Sequence, residues 1–323
     1  MLLTAGVDDD GRRLDRILRK TCPNLPLSVI YRLLRKGCIL VDGKRASADD
    51  RVRARSVVFI PLAAGVDIVS EGTVRHTAHS NQSADLEIIA ESDHLLALNK
   101  PSGLAVHGGE DSLASRVVEY LAGKLKSSLS FKPGPLHRLD RATSGLIVFS
   151  KSLEGARLFT ALLRERALVK RYLALVEGRI DKECHWEDLL LRDHSRRKTF
   201  AAMEGKPALT RIVPLAVSSG QSLVCAEILT GRTHQIRAQA ACHGHPLSGD
   251  KKYGGRFHEN GFLLHAFEME FPAASKKLFS PSGLLEADST DESADSKRLV
   301  APLPQAFQKR VEAIFERKII IAR

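Results

Sequence analysis

The hydrophobic pattern changes character along the chain. Between residues 11 and 36, apolar side chains recur at helical spacing. Leu14, Ile17 and Leu18 form one stripe, surrounded by Arg12, Arg13, Arg16, Arg19 and Lys20; Ile30, Leu33 and Leu34 form a second, with Arg32, Arg35 and Lys36 free to face outward. Ser28 is placed to cap the second helix and Gly37 to end it. A short strand, Cys38 to Val41, leads into Asp42-Gly43, a two-residue hairpin signal, and Val57 to Ile60 reads as a closing strand. The pattern predicts a small α/β unit over 11–62, two helices on a small sheet with a basic rim. Residues 63–85 are small and polar without periodicity and read as a linker.

From Leu86 onward strands dominate. Leu86–Ala90 and Leu95–Asn99 read as a pair, Gly145–Phe149 as a buried strand, and Val169–Val176, Leu209–Val217, Leu223–Leu229 and Leu263–Phe271 as further strands. Ser152 starts a helix with Leu158, Phe159, Leu162 and Leu163 on one face; Thr233–Cys242 is a second helix, ended by Gly244; Val311–Ile320 closes the chain as a third. The order predicts an α+β domain over 86–323 with a mixed, mainly antiparallel sheet, not a regular βαβ repeat. No Gly-x-Gly-x-x-Gly or phosphate-loop pattern occurs. Residues 275–298 are rich in Ser, Asp and Glu, and are expected to be a mobile surface insertion.

Charge changes this picture more than composition does. The chain has 323 residues and a formal net charge of +11. Residues 11–60 hold thirteen Lys or Arg against four Asp, a local excess of nine in about a sixth of the chain. A basic excess confined to one small unit is the electrostatic footprint of a phosphate-backbone partner, although a solvated basic face also fits. No stretch approaches the roughly 20 apolar residues that span a membrane, and the acidic N-terminus does not resemble a secretory signal, so a cytoplasmic protein is expected. Five widely spaced cysteines without a Cys-x-x-Cys pair argue against a disulfide framework or structural zinc, and Cys242-His243-Gly244-His245 reads as a helix end rather than a metal site.

Two segments concentrate candidate chemistry. Pro135 to Gly145 is a polar loop feeding an apolar strand, a place where scaffolds present catalytic groups. Within it Asp140 lies between Arg138 and Arg141, which favour its ionised form; a loop salt bridge and a catalytic carboxylate both fit. Thr230 to Arg237 places polar groups at a helix N-terminus, suited to an anion, with Arg237 one turn in beside His234 and Thr233.

Together these segments resemble the RluA-type pseudouridine synthase family, from about Leu86 to Phe271. Asn99 to Gly109 fits its first motif, His137 to Gly145 its catalytic signature, and Lys170-Arg171-Tyr172-Leu173-Ala174 its tyrosine motif. Gly231 to Arg237, with Gly244-His245-Pro246-Leu247 and Gly249-Asp250, fits the arginine motif, and Leu264-His265-Ala266 the last. Val106-His107-Gly108-Gly109 is closer to the RluC-like branch, whose members modify large-subunit (23S) ribosomal RNA. The departures are Ala142, where an acidic residue is usual, and Ser150, where an alanine is typical. Residues 11–62 resemble the S4 RNA-binding domain through Arg13-Leu14-Asp15-Arg16-Ile17-Leu18, Ile30 to Gly37 and Leu40 to Lys44.

The resemblance implies a base-flipping isomerase acting on RNA, expected to be a monomer needing no cofactor or metal. It makes Asp140 the catalytic aspartate, Arg237 its partner, Tyr172 the ring against the target base and Leu264 the apolar floor. It puts Arg138 near the flipped nucleotide and counts His137, His234, Gln235 and Arg232 with the substrate site. In the S4-like unit it makes Arg13, Arg16, Arg32, Arg35, Lys36 and Lys44 the RNA contacts. Two other readings compete: a non-catalytic RNA-binding assembly factor, and a hydrolase using Ser144, His137 and Asp140. The latter crowds a triad into eight residues, without a Gly-x-Ser-x-Gly elbow.

Overall fold

A computed structural model describes residues 1–61, 86–109, 111–125, 127–259, 261–279 and 296–316. The linker expected at 63–85 lies outside them. The chain divides into two compact units: Met1–Asp85 with Val118–Pro133 and Lys151–Glu154, and Leu86–Val117 with Gly134–Ser150 and Gly155–Arg323. The boundary is therefore not the single cut expected near residue 85.

The first unit contains β1 (Leu2–Thr4), β2 (Arg12–Arg13), α1 (Leu14–Thr21), α2 (Leu27–Arg35), β3 (Leu40–Val41), β4 (Lys44–Arg45), β5 (Arg51–Val52) and β6 (Val57–Phe59). Four strands pair in the order β1-β6-β3-β4, and β2 pairs with β5. The expected stripes are the buried ones: Leu14, Ile17 and Leu18 on α1, Ile30 and Leu34 on α2, packed with Ile39, Val52, Val58 and Ile60. Burying a side chain of this size is worth about 1.5–3 kcal/mol. Pro26, not Ser28, precedes α2 at the cap, because the fixed proline backbone already sets the helix start. Gly37 ends it with φ 66°, where its N–H donates to Leu34 O and that of Cys38 to Leu33 O. Asp42 (φ 50°) and Gly43 (φ 76°) form the expected hairpin turn between β3 and β4.

Asp9 joins this unit to the later chain. Its fully buried carboxylate accepts the N–H groups of Gly6 (2.9 Å) and Leu129 (2.8 Å) and the hydroxyls of Ser128 and Ser130. Thr21 Oγ1 also donates to Leu129 O at 3.0 Å. Residues 118–133 thus complete the unit's polar satisfaction, as buried groups require.

The second unit is built on an eleven-stranded sheet. Its strands are β7 (Ile88–Glu91), β8 (Leu95–Lys100), β9 (Gly134–Pro135), β10 (Ser144–Ser150), β11 (Val169–Glu177), β12 (Cys184–Asp193), β13 (Lys198–Ala201), β14 (Lys206–Val217), β15 (Gln221–Ile228), β16 (Leu264–Phe271) and β17 (Lys297–Val300). The main path runs β13-β12-β14-β15-β11-β16-β10-β8-β7; β9 pairs with β10, and β17 with β16. All pairings are antiparallel except β10 with β16, the mixed sheet that the pattern predicts. The helices are α3 (Leu113–Tyr120), α4 (Leu153–Arg164), α5 (Gln235–Cys242) and α6 (Gln305–Phe315). Strand alternation separates two cores. Ala174, Val176, Val224 and Ala226 pack with Ile236 and Ala240 of α5, whereas Leu173 and Leu223 pack with Phe307 and Val311 of α6.

The insertion expected at 275–298 is corrected at both ends. Ala273–Phe279 is a 3₁₀ helix with Ser275 and Leu278 buried, and β17 pairs Lys297–Val300 with Glu268–Phe271 of β16. Residues 280–295 lie outside the described residues. Leu278 and Leu299 supply apolar anchors that the polar composition of this stretch conceals.

One lateral row positions the chemistry. Lys100, Gly145, Ala266 and Tyr172 are register partners across β8, β10, β16 and β11. Beside it the β11–β16 register shifts between Arg171 and Tyr172, so Phe267 is the extra residue on β16. Such a bulge re-aims the side chains next to it. Gly145 has φ 107°, and a Cβ there would collide with Ala266 O and lie 2.7 Å from its nitrogen. Gly108 (φ 90°) has open space around the same position. Gly108→Ala is expected to cost about 1 kcal/mol, from backbone strain alone. Gly145→Ala is expected to cost about 3 kcal/mol or more, since the strands must also separate. Equal urea midpoints for the two variants would remove the close approach as the reason for Gly145.

Candidate active site

The loop before β10 is stitched to the chain after β8. Lys100 is fully buried, and its Nζ donates to the carbonyls of Pro101 (2.8 Å), Leu104 (2.9 Å) and Arg141 (3.1 Å). Burial lowers its pKa to about 8, opposed by the charge of Asp140. Arg141 Nε donates to Gly103 O at 2.7 Å, Gly103 N–H returns a bond to Arg141 O at 2.8 Å, and Ser102 Oγ donates to Ala142 O at 2.7 Å. Arg141 is thus a loop brace and not the partner of Asp140 expected from adjacency.

That partner is Arg237. The polar residues of α5 are buried, so each needs an internal partner. Arg237 Nε and Nη2 donate to the two oxygens of Asp250, at 2.7 and 3.0 Å, leaving Nη1 to reach Asp140 Oδ2 at 2.8 Å. Burial opposes the guanidinium charge, but the two carboxylates outweigh it and hold its pKa above the ordinary arginine value. The rings of Phe262 and Tyr253 lie 4.5 and 5.0 Å from its Cζ. The second oxygen of Asp140, Oδ1, accepts no hydrogen bond from any described residue. A carboxylate held by one oxygen and open at the other is suited to act at a substrate.

Tyr172 and Leu264 form the apolar side. Both pack in the cluster of Ile228, Ile236 and Phe262. Burial, reinforced by the charge of Asp140, raises the Tyr172 pKa, so its phenol stays neutral. Arg138 is exposed at the loop surface. Arg164, Arg166, Lys170 and Arg232 line a cleft of about 320 Å³ with Leu163, Leu168 and Leu229–Gly231, and no carboxylate side chain lines it.

Other expected residues are engaged by the scaffold. His137 Nε2 accepts Val148 N–H at 3.0 Å, and its ring stacks on Phe159. Burial, with the charge of Lys170, lowers its pKa to about 4, so the ring is neutral and its Nε2 is used within the scaffold. Gln235 is likewise a brace: Oε1 accepts from Thr230 Oγ1 (2.8 Å) and Arg232 N–H (2.9 Å), while Nε2 donates to Leu209 O (3.0 Å) and Thr210 Oγ1 (2.9 Å). Its amide groups are all in use. Ser144 Oγ lies 2.9 Å from His265 Nδ1, not beside His137, so the serine hydrolase constellation is not assembled. His243 lies 3.1 Å from Asp188 and stacks on Trp186. Among the described residues no group of three His, Cys, Asp or Glu is placed to hold a metal, and no helix is long and apolar enough to cross a membrane.

Lys100, Asp250 and Tyr253 are site residues to which the sequence reading gave no role. Lys100 and Asp250 lie inside matched motifs, so the motifs locate them although their contacts are not legible there. Asp250→Ala is expected to cost about 3–5 kcal/mol, because the buried Arg237 loses its two-point partner. Asp140→Ala keeps that partner and is expected to cost under about 2 kcal/mol. Urea denaturation of both checks this, and an equal loss would show that Asp250 is not the main anchor.

Residues 94–242 match the RNA pseudouridylate synthase family. The ribosomal large subunit pseudouridine synthase C of Vibrio cholerae is 38% identical over 287 residues, 84% of this chain and 90% of the relative. The Escherichia coli K12 protein of the same name is 36% identical over 280 residues, covering 82% and 86%. Among solved structures, human RNA pseudouridylate synthase domain containing 4 aligns with a TM-score of 0.55 at 21% identity, over 71% of this chain and 93% of that one, which shows the shared fold. The chain belongs to the RNA pseudouridylate synthase family, in its RluC-like branch, and is an enzyme that isomerises uridine in RNA.

Proposed function

We propose that the substrate is large-subunit ribosomal RNA and that Asp140 is the catalytic carboxylate. The observation that carries the second point is the one-sided hold on Asp140: Arg237 takes Oδ2, Oδ1 accepts no hydrogen bond from a described residue, and the charge of Asp140 is felt at Tyr172. The first rests on relatives at 36–38% identity that are named for that RNA. In the reaction the C1′–N1 bond breaks, the base turns, and C1′ bonds to C5. The C5 proton leaves and N1 gains one, so composition is unchanged. Asp140 acts at the sugar, while Tyr172 holds the extruded base above Leu264, and Arg138 contacts the flipped nucleotide. Incubation with transcribed large-subunit rRNA is expected to yield pseudouridine at discrete positions, and none with Asp140→Asn. Product formed by Asp140→Asn would sink the catalytic assignment; product only on other RNAs would sink the substrate assignment.

The first unit serves, in this reading, as an S4-like RNA handle in a cytoplasmic, monomeric enzyme. It exposes Arg16, Arg32, Arg35, Lys36 and Lys44, while Arg13 is partly engaged by Asp15 at 3.2 Å. The cleft at Arg164, Arg166, Lys170 and Arg232 offers a second track for phosphates. Replacing Arg32, Arg35 and Lys36 by Gln in the full chain is expected to lower the slope of log K against log salt by roughly two to three, about one per lost phosphate contact. An unchanged slope, measured by RNA filter binding, would assign the handle elsewhere.

A further inference from the structure

His234 stands immediately before α5 in the left-handed region, φ 55° and ψ 25°. A non-glycine residue persists there only where its surroundings over-determine it. Its ring is held between two partners. Nδ1 lies 2.9 Å from Tyr253 Oη, with the rings edge-on at 87°, and Nε2 faces Asp140 Oδ2 at 3.6 Å. That oxygen is the one bonded to Arg237.

A third link bears on where the proton lies. Tyr253 is buried, and its Oη accepts Thr199 N–H at 2.9 Å. If that hydroxyl donates to His234 Nδ1, 2.9 Å away, the nitrogen is an acceptor. A nitrogen that accepts a hydrogen bond carries no proton, so the single proton of the neutral ring is then on Nε2, the atom facing Asp140.

We propose that His234 is a positioning residue for the reaction: a neutral imidazole, set in its Nε2–H form by the Tyr253 hydroxyl, which restrains Oδ2 of Asp140 together with Arg237 and leaves Oδ1 as the working oxygen. This rests on Asp140 being the reacting carboxylate. The 3.6 Å separation exceeds a hydrogen bond, and the contact closes when the nucleotide enters, as catalytic contacts do in occupied sites. The charged groups around it favour the neutral ring. Burial first, and then Arg237, Lys252 and Arg192, lower the His234 pKa to about 4, with Asp140 opposing. Lys100 also faces Asp140, and Lys198, Arg237 and Asp250 surround Tyr253. The ring is therefore neutral throughout the pH range above about 5.

The test has two independent arms on the full chain. Nitrogen-15 NMR of histidine-labelled protein, with the His234 signal assigned through its loss in His234→Gln, is expected to show the Nε2–H form at pH 7. In Tyr253→Phe the Nδ1–H form should become populated. In kinetics on transcribed large-subunit rRNA, Tyr253→Phe is expected to lower kcat about tenfold with KM within about twofold of the parent. His234→Gln, which keeps an N–H donor, should retain more activity than His234→Phe. An Nδ1–H or doubly protonated ring in the unmodified protein overturns the proposal. So does a parental kcat in both Tyr253→Phe and His234→Phe. Full activity in Asp140→Asn would instead overturn the assignment of the carboxylate, and the NMR arm separates that failure from this one.

Discussion

Everything at this site depends on one guanidinium having more donors than one carboxylate can use. Arg237 is buried among apolar side chains, where an unpaired charge is not tolerated. Asp250 satisfies it at two points from a turn, and the remaining donor meets Asp140. Asp140, the proposed catalytic carboxylate, is therefore not the counterion that makes the arginine stable. It is free to change charge, partner or bonding during a reaction without leaving a buried cation alone. An Asp140–Arg237 pair without Asp250 would couple catalysis to the integrity of α5.

The sheet supplies the other half of this arrangement. Lys100 and Tyr172 lie in one lateral row with Gly145 and Ala266, so the loop that carries Asp140 and the Tyr172 ring are referenced to the same backbone line. Leu264 and Phe267, three residues apart on β16, face different cores by strand alternation.

What the sequence shows and hides follows from range. The helices of the first unit, the Asp42-Gly43 hairpin and most long strands are visible because burial is periodic over a few residues. β12 is not visible: only Trp186 and Leu190 are buried in it, four residues apart, and Leu189 and Leu191 are exposed, so no period-two signal forms. Within the site, Asp140, Arg237, Tyr172 and Leu264 are found because contiguous motifs mark them. His137 and Gln235 lie in the same motifs but turn inward, and residue type alone does not distinguish a group that meets substrate from one that braces the loop. Tyr253 escapes altogether. Its hydroxyl accepts from Thr199 and lies 2.9 Å from His234 Nδ1, partners 54 and 19 positions away.

The make-up of the first unit bears on how the protein is synthesised. Asp9, Thr21 and the core around Leu18 are completed by Leu129 and its neighbours, and Asp8 accepts the N–H of Leu153. During translation the N-terminal segment emerges with a buried-type carboxylate and an apolar edge whose partners have not been made. Its native contacts are complete only when residues more than a hundred positions further along the chain are present. The unit is small and basic, as a transplantable binding module is, but the chain has made it a late-closing part of the enzyme that cannot be cut out at a single point.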